Sequence, residues 1–233
     1  MNVFVTGERG FVGSNLTKYF LKTGITVVNI QDESDKNIKS RINLLDREKL
    51  WQIENVDAII HLASKTSIPD SIDNPYDTYY TNIIGTLNIL DFARQRKIKK
   101  IINISTYIYG KPIYLPIDEN HPINPHSPYN KSKILAENLC ENFSKDFGID
   151  IVTLRPFYIY GPSSNPLSFI PSIIQQIEKN ERVLLSHKNT KRDFLFVDDF
   201  LNLISKILNN FPIGYSIYNV GSGRSNSLEE IIW

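Results

Sequence analysis

The chain has almost nothing to tie it together covalently. Of its 233 residues only Cys140 is a cysteine. That count excludes an internal disulfide and fits a reducing compartment, so a cytoplasmic location is expected. Cys140 stands among helix-forming residues and reads as a small packed side chain rather than a nucleophile. Charge of one sign is also lacking: 26 basic residues face 25 acidic ones, a net of +1. No field draws such a chain to nucleic acid or to an acidic membrane surface. The one basic run, RQRKIKK at 94–100, lies between a helix-like stretch and an apolar run and reads as a solvated helix end. No apolar run approaches the roughly 18 residues of a membrane span. The opening MNVFVTGERG has no basic stretch followed by a long apolar one, so no export signal is expected. His61, His121, His126 and His187 show no metal-ligand spacing, and Pro122 and Pro125 keep His121 and His126 off a common helix face. No metal is expected.

What is present is an alternation. NVFVT (2–6), TVVNI (26–30), DAIIHLA (57–63), KIINIS (100–105) and IDIVTLRP (149–156) are short apolar runs of strand type. Between them, 11–23, a short segment capped by Asp46, 78–94 and 128–147 carry helical periodicity. Gly24 suits the end of the first helix. Strands that are apolar throughout, alternating with helices, predict an α/β fold with a doubly wound parallel sheet covered on both faces. From about residue 157 prolines multiply, at 162, 166, 171 and 212. The expected organisation is a dinucleotide-binding domain over 1–165. A smaller, irregular substrate-binding part follows over 166–233, its RDFLFVDDF segment packing back on the first. Neither an internal repeat nor a low-complexity linker interrupts the chain.

TGERGFVGS (6–14) places Gly7, Gly10 and Gly13 between the first strand and the first helix. A phosphate needs close backbone approach and free N–H groups at a helix start, and glycines in that place supply both. A carboxylate at the end of the second strand would take the ribose hydroxyls. The chain has Gln31 there and Asp32 one place later, which is either that residue or a turn residue. With no arginine close behind to hold a 2′-phosphate, NAD is favoured over NADP.

SPYNKSK (127–133) starts a helix with Ser127 as cap and Pro128 at the first position. Tyr129 and Lys133, four apart, share a face. The bland reading is a phenol above a solvated lysine. The chemical one is an ammonium about 5 Å away that favours phenolate by about 3 kcal/mol at an effective dielectric of 20. That is roughly two pK units, enough to make a tyrosine a usable acid–base group.

The glycine triad, the Tyr-x-x-x-Lys pair and a serine on the preceding strand resemble the short-chain dehydrogenase/reductase superfamily. More closely, the chain resembles its extended branch, the NAD-dependent nucleotide-sugar epimerases and dehydratases. TGERGFVGS, DAIIHLAS, STYIYG, SPYNKSK, LRPFYIYGP, RDFLFVDD and YNVGSG follow that family's order. The resemblance implies catalysis by Ser105, Tyr129 and Lys133, with Ser105, found by counting back from Tyr109-Gly110, holding the reacting hydroxyl. It implies a cofactor site of Gly7, Gly10, Phe11, Val12, Gly13, Gln31, Asp32, Asn43, Leu44, Leu62, Ala63, Ser64, Asn82, Tyr129, Lys133 and Pro156. It implies a nucleotide-sugar site that includes Ser105, Thr106, Tyr129, Tyr158 and Arg192, and it makes His61 structural. A homodimer through helices near 76–95 and 128–147 is also expected.

The chain departs from the family at three points. Dehydratases of this branch carry Asp-Glu directly after the catalytic hydroxyl, where this chain has Thr106 and Tyr107, which argues against dehydration. Tyr158 stands where the family has a substrate-holding asparagine. SLEE (227–230) has the pattern of a capping box, yet only IIW follows, and the family usually continues. The expected activity is 4-epimerisation of a nucleotide sugar, UDP-glucose 4-epimerase-like, through a 4-keto sugar. A nucleotide-sugar 4-ketoreductase or dehydrogenase, or a silent NAD-binding relative, are the alternatives.

Overall fold

The computed structural model describes residues 1–28, 43–183, 185 and 188–232. The first half builds a layered α/β unit from strands β1 (Asn2–Thr6), β2 (Thr26–Val28), β3 (Ala58–His61), β4 (Lys100–Ile104) and β5 (Asp150–Pro156). Its helices are α1 (Phe11–Thr23), α2 (Arg47–Leu50), α3 (Ile68–Asp73), α4 (Pro75–Tyr79), α5 (Gly85–Arg96) and α6 (Pro128–Phe147), with a π-helical turn, Tyr80–Ile84, joining α4 to α5. The second half adds β6 (Tyr158–Tyr160), α7 (Phe169–Glu178), β7 (Lys191–Phe196), α8 (Val197–Asn209), β8 (Tyr215–Val220) and β9 (Ser225–Ser227).

Strand order in the large sheet is β2-β1-β3-β4-β5-β8, and every pairing in it is parallel. Side chains alternate faces along each strand. Val3 and Val5, Ala58 and Ile60, and Ile102 and Ile104 point to one face, where α1 and α8 cover them. Phe4, Ile59 and Ile101 point to the other, under α5 and α6. The strands are therefore apolar throughout because both faces are buried.

Local signals place most boundaries. Gly24 ends α1 at φ 75°, its N–H on Phe20 O. Asp46 caps α2 by accepting from Lys49 N, but that helix stops at Leu50. Ser127 caps α6 by accepting from Asn130 N, and Gly148 closes it at φ 61°. The capping box is made: Ser227 N donates to Glu230 Oε2 at 2.7 Å, and Glu230 N to Ser227 Oγ at 3.1 Å.

The region after 157 is more regular than its prolines suggest. β6 and β7 pair in parallel and β7 pairs antiparallel with β9, forming a second, three-stranded sheet. β8 returns to the large sheet beside β5. Phe200, Leu201, Ile204 and Leu208 recur at helical spacing on α8 and are all buried against the first core. No described helix is long and apolar enough to cross a membrane.

Phe200 is fully buried in that core. Phe200→Ala is expected to lower unfolding free energy by about 3–5 kcal/mol, read by urea denaturation followed by circular dichroism.

Candidate active site

A parallel sheet brings all its strand C-termini to one edge. There the segments after β1, β3 and β4 meet the start of α6, at the crevice where strand order reverses about β1 and β3.

The glycine loop follows β1. Gly7 sits at φ 73°, and a Cβ on it would stand 2.9 Å from Ala63 N, so the loop lies directly on the end of β3. A Cβ on Gly13 would come within 2.1 Å of Gly7 O, so helix and loop touch backbone to backbone. Gly10 caps α1 without a side-chain bond. The N–H groups of Phe11, Val12 and Gly13 find no acceptor among the described residues. This is a cradle for an anion at the start of a 13-residue helix. Gln31 and Asp32 lie outside the described residues, as does His187. Asn43 turns the chain into α2 by accepting from Leu45 N and Asp46 N. Leu44 is buried on Gly85, its carbonyl bound by Asn88.

β3 ends in a chain of buried hydrogen bonds. Ala63 N donates to Thr6 Oγ1 at 3.1 Å, and Thr86 Oγ1 donates to Asn82 O at 2.7 Å. Between them His61 touches Thr6 Oγ1 through Nδ1 at 2.8 Å and Thr86 Oγ1 through Nε2 at 3.0 Å. Thr86 spends its proton on Asn82, so Nε2 must donate. Burial keeps His61 neutral, which leaves Nδ1 to accept from Thr6 Oγ1. Burial first, then the Lys133 charge, lower its pKa to about 3.

Asn82 lies in the π-helical turn and is 3% exposed. Its oxygen accepts from Lys65 N at 2.7 Å and Ser64 Oγ at 3.1 Å. Its nitrogen donates to Lys65 O at 3.0 Å and Ser132 Oγ at 2.9 Å. A π turn in a helix often marks a functional position. Here it ties the segment after β3 to the residue beside Lys133. Pro156 is buried at the end of β5, paired with Val220.

Tyr129 is partly buried in the first turn of α6, with the Thr106 hydroxyl near its phenol. Burial pushes that phenol above its ordinary value, and the nearby Thr106 hydroxyl pulls it down. This corrects the expectation that Lys133 acidifies it: the Lys133 charge has no part in the shift. Lys133 points into the interior, 2% exposed, toward His61, Glu137 and Cys140. Burial lowers Lys133 to about 8, against the support of Cys140 and Glu137. Cys140 itself, buried, is pushed up to about 12 and is inert.

Ser105 is turned the other way. Its hydroxyl donates to the buried Glu137 carboxylate, which Arg155 also binds at 2.6 Å. The structure therefore brings Thr106, not Ser105, to Tyr129.

Arg192 is exposed and within electrostatic reach of the Tyr107 phenol. Its neighbour Asp193 is not its partner; that carboxylate accepts from Ser222 N and Oγ and from Gly223 N at 2.7–2.9 Å. Tyr158 packs its ring edge-on to Phe194 and accepts at Oη from Phe169 N at 3.0 Å, so its hydroxyl caps α7.

A dinucleotide cradle beside a phenol–hydroxyl pair and a buried ammonium can hold a nicotinamide cofactor and move a proton on one alcohol oxygen. The profile described as "NAD dependent epimerase/dehydratase family" matches residues 3–221. The chain belongs to that family. UDP-glucuronate 4-epimerase of Thermodesulfobacterium geofontis is 31% identical, over 98% of this chain and 77% of its own length. GDP-6-deoxy-D-mannose reductase of Pseudomonas aeruginosa is also 31% identical, over 99% of this chain and 77% of its own. The structure of Thermus thermophilus UDP-glucose 4-epimerase in complex with NAD superposes with a TM-score of 0.85 at 27% identity, covering 100% of this chain and 81% of that one. Family membership makes the protein a nucleotide-sugar-modifying enzyme of the NAD-dependent class, with the Rossmann-type sheet described above.

The buried lysine carries a stability cost. A lysine whose pKa falls from 10.5 to about 8 on folding destabilises the native state below pH 8 by about 3 kcal/mol, and the cost vanishes as pH rises to 10.5. Lys133→Met is expected to raise stability by that order at pH 7, with the gain fading between pH 8 and 10.5. Urea unfolding at several pH values checks it.

Proposed function

We propose that the protein is a nucleotide-sugar 4-epimerase working with a tightly held NAD. One observation carries the reading. The cleft sets the Tyr129 phenol and the Thr106 hydroxyl side by side, and the residues that follow Thr106, Tyr107 and Ile108, bring no carboxylate. The relatives that epimerise at C4, one of them in complex with NAD, support it.

The cradle fits the dinucleotide, because a Cβ at Gly7 or Gly13 would fill the space that the loop backbone needs. Phe11, Val12 and Gly13 would hold the pyrophosphate through free N–H groups, and Gly7 and Gly10 would let the loop backbone come close to it. Asn43, Leu44, Leu62, Ala63 and Ser64 would flank the cofactor, and Gln31 or Asp32 would take the ribose. When bound, NAD supplies a reversible hydride acceptor for the sugar's C4. As the phenolate, Tyr129 would take the proton of the C4 hydroxyl and later return it to the 4-keto oxygen. Thr106 hydrogen-bonds that oxygen and is the one group in the structure that pulls the Tyr129 pKa in the useful direction. Lys133 holds positive charge beneath the site, and Asn82 keeps its helix in register with the loop after β3. Arg192, exposed and free of ion pairs among the described residues, suits the substrate diphosphate. A homodimer through 76–95 and 128–147 belongs to the same reading. Tyr76, Tyr80, Leu135 and Phe147, all exposed on those helices, supply apolar surface for it.

Incubating the NAD-loaded protein with UDP-galactose should give UDP-glucose without accumulation of reduced nicotinamide. Consumption of one reduced nicotinamide per sugar would assign the reductase chemistry of the Pseudomonas relative instead, and no conversion with any nucleotide sugar would overturn both. Tyr129→Phe is expected to lower kcat by about 10²–10⁴ with KM within a few-fold and cofactor retained. Gly13→Ala, whose methyl meets Gly7 O, should weaken NAD binding at least about tenfold by calorimetry.

A further inference from the structure

Beneath Thr106 lies a set of buried polar groups that proton transfer at the sugar does not use. Ser105, Glu137 and Arg155 are each 3–4% exposed. Ser105 Oγ donates to Glu137 Oε1. Arg155 reaches the same carboxylate with Nε to Oε1 at 3.1 Å and Nη2 to Oε2 at 2.6 Å. Its third nitrogen, Nη1, donates to Tyr109 Oη at 2.8 Å, and Tyr109 donates to Asn219 Oδ1 at 2.6 Å. Burying an ion pair recovers little stability over an apolar substitute, so stability does not account for it. Geometry does. Ser105 follows β4, Glu137 lies two turns beyond Tyr129 on α6, and Arg155 belongs to β5. The carboxylate thus fastens the strand that carries Thr106 to the helix that carries Tyr129. Ser105 N is fixed as well, donating to Leu154 O at 2.7 Å. In extended chain, successive side chains point to opposite faces. With Ser105 held inward, Thr106 is turned outward to the phenol.

We propose that Ser105 is a positioning residue: by donating to Glu137, which Arg155 holds in place, it locks the end of β4 so that the Thr106 hydroxyl meets Tyr129. The proposal rests on the reading in which Thr106 and Tyr129 handle the reacting oxygen. It separates the two adjacent hydroxyls, since Ser105 acts through Thr106 and never touches the sugar.

The test is a double-mutant cycle in the full chain with its cofactor, assayed on the UDP-galactose to UDP-glucose reaction. Ser105→Ala should lower kcat about tenfold with KM within twofold, as for a misplaced group that acts in the transition state. Ser105→Thr, which keeps the hydroxyl, should restore most of it. In a Thr106→Val background, Ser105→Ala should cost less than about twofold more. Multiplying losses, or full activity of Ser105→Ala, would overturn the proposal. A second measurement needs no turnover. In protein labelled with 3-fluorotyrosine, the fluorine signal of Tyr129, assigned by its loss in Tyr129→Phe, is titrated with pH. Ser105→Ala should raise its midpoint by freeing Thr106, and an unmoved midpoint would overturn the clamp. A raised midpoint in a protein that epimerises nothing would sink the epimerase reading and leave the clamp standing.

Discussion

A positive charge buried on the inner face of α6 is the constraint to which the rest of the site answers. An ammonium in the interior tolerates no second cation near it and needs negative or polarisable neighbours. The groups around Lys133 meet both demands. His61 is kept neutral and spends its two nitrogens on threonines of β1 and α5. Cys140 stays a thiol. Glu137, one turn along the helix, supplies the carboxylate, and its own surplus is answered by Arg155. Each neighbour is therefore read through Lys133: a histidine in the sheet is a hydrogen-bond relay rather than a base, and a cysteine in the helix is filler rather than a nucleophile.

The parallel sheet turns that local arrangement into a site. Because the strands of the large sheet run the same way, the loop after β1, the end of β3 and the residues after β4 all emerge at one edge, where α6 begins. Polar bonds then pin these parts to one another across long sequence separations. Thr6 and His61 join the first and third strands, Asn82 joins the segment after β3 to α6, and Glu137 joins α6 to β4 and β5. Packing alone would leave the segments free to slide by a fraction of an ångström, and directional bonds remove that freedom. The precision that hydride and proton transfer require comes from this polar layer, while the two apolar layers supply the free energy of folding.

Much of this was legible in the sequence wherever the cause is local. The glycine triad, the Gly24 terminator, the Ser127 cap with Pro128 behind it, and the Ser227–Glu230 box depend on residues within one turn of each other, and each sits where its chemistry requires. Causes that cross the fold were not legible. Helical spacing puts Tyr129 and Lys133 on one face, but how deep that face lies is a tertiary matter, and depth decides that burial outweighs charge at the phenol. The choice between Ser105 and Thr106 turns on which face of an extended segment meets Glu137, a residue 32 positions away. The π turn at Asn82 leaves no mark in a periodicity already blurred by Gly85. The helix α7 was hidden by Pro171, which lies in its first turn, where the missing N–H costs nothing.

What the cleft can do is limited by its inventory of proton carriers. Loss of water from a sugar needs one group to remove a proton from carbon and another to protonate the leaving hydroxyl, both apart from the group that serves the oxidised oxygen. In the proposed reading, Tyr129 and Thr106 are taken up with that oxygen. Tyr107, the nearest further phenol, spends its proton on Gly110 O at 2.5 Å, and burial raises its pKa against the pull of Arg192. Ile108 is apolar and buried. Tyr158 commits its hydroxyl to the start of α7. Among the described residues, those that directly follow Thr106 bring no carboxylate, which suits the proposed oxidation and reduction at a single carbon.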